Sequence, residues 1–141
     1  MFKTNKPTQI REGQVDTMIG PQVVIRGDLH FSGGLYIEGR VIGKLVAQEG
    51  QPASLTLAEN GSIEGEVRAP IVVLNGELNG DVYASERVEL AAKARVQGNV
   101  HYKVVEMTAG SMLTGRLIHV DAHTAALAAP EALITADALM D

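Results

Sequence analysis

Residues 88–104 read VELAAKARVQGNVHYKV. Every second position is apolar or small: Val88, Leu90, Ala92, Ala94, Val96, Gly98, Val100, Tyr102 and Val104. Between them stand Glu89, Lys93, Arg95, Gln97, Asn99, His101 and Lys103. A period of two sends successive side chains to opposite faces of a strand, and a helix cannot sustain it over this length. The run is longer than an ordinary strand of about five or six residues, and it continues through places where a hairpin would have to turn.

Moving outward, the core of this stretch recurs. The pattern apolar-x-Gly-x-apolar is found as IRGDL (25–29), VIGKL (41–45), IEGEV (63–67), LNGDV (78–82), VQGNV (96–100) and LTGRL (113–117). Its central glycines are Gly27, Gly43, Gly65, Gly80, Gly98 and Gly115, spaced 16, 22, 15, 18 and 17 residues apart. A repeat of this kind decides the architecture before any local propensity does. The same alternation runs through Leu55, Leu57, Gly61, Ile63, Gly65, Val67, Ala69 and Ile71. It returns in Val105, Met107, Ala109, Ser111, Leu113, Gly115 and Leu117.

A coil of short parallel strands accounts for all of this. Each turn wraps once, every second residue enters a narrow core, and adjacent turns pair about 4.8 Å apart. Six turns are expected to begin near Thr17, Leu35, Leu55, Val72, Val88 and Val105, with an insertion bulging at EGQPAS (49–54). The repeated glycines are expected at inward corners, where a Cβ would crowd the axis and the backbone takes angles that other residues cannot adopt. The competing all-β reading is an antiparallel meander with Asn60-Gly61, Asn75-Gly76 and Asn79-Gly80 as hairpin turns. Gly76 and Gly80 are too close for both to turn hairpins between real strands.

Composition agrees with a slim aliphatic core. The 141 residues are 45% hydrophobic but only 4% aromatic, without Trp, so Val, Ile, Leu, Ala and Gly must fill the interior. The net charge of −5 argues against a nucleic-acid partner. No Cys is present, which excludes disulfides and thiolate metal sites. No apolar run is long enough to span a bilayer, and the N-terminus reads without a secretory signal, so a cytoplasmic protein is expected.

The repeat divides the chain into a tail (1–16), the coil (17–117) and a C-terminal tail (118–141), disordered or a short helix. The first tail opens with Met1, Phe2, Lys3 and Lys6, an apolar tip followed by cations that suits an anionic membrane surface. Chemistry is harder to find. Neither a P-loop nor a strand-to-helix GxGxxG is present, and no serine sits in a nucleophile elbow. Glu64 and Glu66 fall on outward strand positions and read as a solvated face. His101, His119 and His123 are too loosely placed for a tetrahedral metal site, so no catalytic, metal or cofactor residue is assigned.

The series IEGRVIGKL (37–45), SIEGEV (62–67), VVLNGELNGDVYASERVEL (72–90) and ARVQGNV (94–100) strongly resembles the bactofilins over about residues 17–117. The stretch GDVYASERVEL (80–90) is the most specific part. The resemblance implies a right-handed parallel β-helix that polymerises end to end, without nucleotide, into non-polar filaments. It also implies roles in cell shape and in positioning cell-wall enzymes, with other bactofilins as further partners. Met1, Phe2 and Lys3 match the family's membrane-targeting start, which implies the inner face of the cell membrane. Many members carry an aromatic on the last turn; this chain has Leu113 there.

The physics of a coil points the same way. Unpaired strand edges and open core lie at its ends, and monomeric solenoids cap them with polar repeats. The first turn offers Ile19, Val23, Ile25 and Leu29, and the last offers Val105, Met107, Leu113 and Leu117. Neither set is a polar cap, so these residues are the expected polymer contacts. The alternative is a left-handed hexapeptide-type β-helix enzyme, an acyltransferase or metal-dependent hydratase forming a discrete trimer. Ile19, Ile25, Phe31 and Ile37 fit its six-residue spacing, which then breaks at Gly43, Gly61 and Asn79. A monomeric adaptor with tails folded over both ends is a third class.

Overall fold

In the computed structural model, which describes residues 15–120, twelve strands follow one another without a helix among the described residues. They are β1 (Thr17–Ile19), β2 (Val24–Arg26), β3 (Leu29–Phe31), β4 (Gly33–Ile37), β5 (Arg40–Ala47), β6 (Ala53–Leu57), β7 (Ser62–Leu74), β8 (Glu77–Asn79), β9 (Val82–Leu90), β10 (Arg95–Tyr102), β11 (Val104–Met107) and β12 (Met112–His119). Thus β12 runs two residues past the boundary drawn at 117.

Every pairing is parallel, and three ladders run the length of the coil. The first joins Thr17, Leu35, Leu55, Val72, Val88 and Val105, the six positions read as turn starts. The second joins Ile25, Val41, Ile63, Leu78, Val96 and Leu113. The third joins Leu29, Leu45, Val67, Val82, Val100 and Leu117. The fold is therefore an all-β parallel solenoid of about six turns. The hairpin reading fails, because no antiparallel pair exists among the described residues; the Asn-Gly dipeptides lie where the coil changes face.

The ladders meet in one core of Ile, Leu, Val and Ala. Ile37, Leu45, Leu57, Ile63, Leu74, Leu78 and Leu90 are completely buried. Each such side chain contributes about 1.5–3 kcal/mol of transfer free energy relative to exposure. The bulge at EGQPAS holds: Gln48 N–H donates to Phe31 O and Gly33 N–H to Pro52 O, closing the excursion at both ends.

Two expectations need correction. Strict alternation does not survive the corners. Ala92 is exposed in a turn, Val104 is 48% exposed, and Val72 rather than Ile71 enters the core. Around Ile71 the register between β7 and β9 shifts between Ala69 and Ile71, which resets the parity. The glycines take the unusual backbone angles expected of them, but the crowding they relieve is a different one. A Cβ at Gly98 would point along the stack, 1.8 Å from the carbonyl oxygen of Gly80, and Gly98 has φ of +142°. The glycines permit close stacking of turns at a left-handed corner; they do not relieve the central axis.

Candidate functional site

The four middle turns have a neighbour above and below; the first and last do not. At the first turn, β1, β2 and β3 each pair on one side only. Ile25 and Leu29 are half-buried and Ile19 is nearly closed, at 7% exposure. With Phe31 and Leu35 they line an apolar depression of about 400 Å³ that opens at this end. Val23 sits apart, exposed in the corner beside Pro21 and Gln22. At the last turn Val105 and Leu113 pack against the core, whereas Met107 and Leu117 are exposed.

The exposed large hydrophobic residues follow one rule. They are Val15, Met18, Val23 and Val24 at one end, and Val104, Met107, Met112 and Leu117 at the other. Among the described residues none lies on the middle turns. Apolar exposure of this kind, gathered in patches, marks contact surfaces rather than a random scatter. The candidate membrane residues Met1, Phe2, Lys3 and Lys6 lie outside the described residues, as does His123.

The flanks of the coil are polar and internally paired. Arg40 bonds Glu64, Arg68 bonds Glu66, and Arg87 bonds Glu89. Both carboxylates that a sequence reader would consider for acid–base work are thus held by arginines on an open surface. Arg68 lies over the Tyr83 ring, 4.1 Å from its centroid, and Tyr83 stacks on His101 at 4.4 Å. These three are register partners on successive turns. Burial lowers the pKa of His101, partly offset by its bond to Val82 O. Burial, with Asp81 and Glu66 nearby, raises that of Tyr83. His119 meets Tyr102 edge to face. No cluster of three His, Cys, Asp or Glu converges among the described residues.

Sequence reasoning missed three devices. One is a second column of small residues, Gly39, Gly61, Gly76 and Ala94, two places before each second-ladder residue. A Cβ at Gly76 would lie 2.3 Å from Ala58 O; the constant offset was a readable signal. Another is a set of side-chain acceptors at corners. Asp16, Asp28, Asn75 and Asp81 take the N–H of Gly34, Lys44, Lys93 and Asn99 on the next turn. The third is Phe31, whose place at an open end no motif reveals.

A parallel solenoid with polar flanks and apolar ends defines a class: a stacking, structural module. The comparisons then give the family. Residues 17–118 match the family described as "Bactofilin: Polymer-forming cytoskeletal", and the chain belongs to it. It is 29% identical over 102 residues to Bactofilin BacO of Myxococcus xanthus (strain DK1622), covering 72% of this chain and 78% of that protein. It is 28% identical to Bactofilin BacP of the same organism over 102 residues, 72% of this chain but 41% of BacP's length. No solved structure matches. The chain is accordingly a polymer-forming cytoskeletal protein and not an enzyme.

Proposed function

We propose that this protein is a membrane-associated scaffold. Its coils join end to end, without nucleotide, into non-polar filaments at the inner face of the cell membrane. There it organises cell shape or positions cell-wall enzymes, alone or with other bactofilins. The single observation that carries the end-to-end joint is that, among the described residues, exposed large apolar side chains are confined to the two ends of the coil. The contacts are Ile19, Val23, Ile25 and Leu29 at one end and Val105, Met107, Leu113 and Leu117 at the other. Covering these patches removes apolar area from water and continues the apolar core across the joint. Non-polarity and the cell-wall role follow the family resemblance. Membrane attachment through Met1, Phe2, Lys3 and Lys6 rests on their chemistry, an apolar pair beside cations. No helix among the described residues is long and apolar enough to cross a membrane.

The test is negative-stain microscopy of the purified protein, free of nucleotide and metal, with sedimentation on anionic liposomes beside it. Filaments that coat liposomes support the proposal. A discrete oligomer that never extends into filaments would overturn the end-to-end joint.

A further inference from the structure

We propose that Phe31 anchors the contact that the first turn makes with a second copy of this chain; this rests on the self-association reading above. The argument comes from one column of the coil. Phe31 pairs with Ala47, Ala69 pairs with Ala84, and Tyr102 pairs with His119. Ala47 and Ala69 follow the paired Val46 and Arg68, and Ala84 and Tyr102 follow the paired Tyr83 and His101. From the first turn to the last, the column therefore reads Phe, Ala, Ala, Ala, Tyr, His.

Alanine occupies this position on the second, third and fourth turns, where Ala69 and Ala84 are 5% and 4% exposed. Rings stand on the first, fifth and sixth turns, as Phe31, Tyr102 and His119. Phe31 packs against the core from a turn with a described neighbour on one side only, and its ring lines the apolar depression. The depression, of about 400 Å³, opens at this end between Ile19, Ile25, Leu29 and Leu35. A rigid aromatic at the wall of an apolar depression suits an interface anchor that a partner desolvates on docking. A second copy is the occupant that fits, because the family polymerises and the partner's own end is equally apolar.

The experiment uses the full chain. Phe31→Ala keeps the backbone carbonyl that receives Gln48 N–H, so the turn retains its closure. Truncating an anchor of this kind raises the critical concentration roughly 30-fold or more, read by light scattering, and Phe31→Leu recovers part of it. In parallel, Ser32→Cys places a thiol at the mouth of the depression in a chain with no other cysteine. The expected result is rapid maleimide labelling in dilute subunits and protection in filaments. An unchanged critical concentration for a folded Phe31→Ala protein overturns the anchor while leaving self-assembly intact. If that variant fails to fold, the thiol decides: labelling equal in filaments and subunits overturns the proposal. Protection already present in dilute subunits overturns it too, and assigns the depression to the chain's own residues 1–14. A wild-type protein that never assembles defeats the underlying reading itself.

Discussion

The middle turns and the end turns are built from the same repeat and meet different fates. In the middle, Val41, Val67, Val82 and Leu78 are completely buried, and small residues hold the corners. At the ends, equivalent ladder positions such as Leu117 are 38% exposed, and larger side chains fill the corner column. The difference is not in hydrophobicity, because the end ladders are as apolar as the rest. It lies in whether another turn is stacked on them. In the proposed end-to-end joint this unfinished core is the assembly surface, and a second copy covers it.

The largest effect should separate two glycines of one column. Gly98→Val places a branched side chain 1.8 Å from the Gly80 carbonyl and strains a φ of +142°. Loss of the folded state is expected, since overpacking alone costs about 1–3 kcal/mol before the backbone is counted. Gly27→Val meets only the strain of φ +129°, with nothing within 4 Å of its Cβ. Thermal melts by circular dichroism should therefore show a folded but less stable Gly27→Val protein. Equal loss in both would mean that stacking is not why glycine is needed.

Next come paired leucines of the core. Leu78→Ala, in the middle, should cost about 2–5 kcal/mol in denaturant melts. Leu113→Arg should leave the middle turns folded, because an arginine at an open end extends its guanidinium to water. It should nevertheless stop assembly, since a second subunit would bury that charge unpaired. A dimer joined through the first turn would indicate that like ends meet. Unaltered filaments would remove the last turn from the joint.

Deleting residues 1–6 should abolish sedimentation with anionic liposomes while filaments still form. Equal liposome binding, after subtraction of filament pelleting, would dismiss the tail as an anchor. The smallest effect concerns His101. Its folded pKa lies below the unfolded value of about 6.5, so the unfolded chain binds more protons as pH falls through that region. Stability should decline there on acidification, and His101→Gln should soften the decline. An identical pH profile for both proteins would show that His101 plays no part in it.

How much of this was legible in the sequence follows from geometry. The six turn starts were readable because period-two alternation and a near-constant repeat length leave one parallel register. Corner residues were not, because a chain that changes face can reset its parity at one residue, as it does between Ala69 and Val72. For Gly98 the unusual backbone angle was readable, and φ is +142°, but sequence does not show in which direction a Cβ would collide. The corner acceptors Asp28 and Asp81 looked like surface charge until each was seen to bond a backbone N–H one turn away. Of the proposed contact residues, the ladder members were legible from alternation. Phe31 was not, because its meaning depends on the three alanines that follow it in space, at irregular intervals along the chain.

The most direct test of the central claim, that unfinished core at each end is the assembly surface, is the axial repeat of the filament by cryo-electron microscopy or fibre diffraction. Six turns at about 4.8 Å each should place one subunit every ~29 Å along the axis, with a strong reflection near 4.8 Å on the meridian. Like ends meeting would double the repeat to ~58 Å. A repeat set by the width of the coil, with the 4.8 Å reflection on the equator, would mean that subunits join through their flanks and would contradict the account.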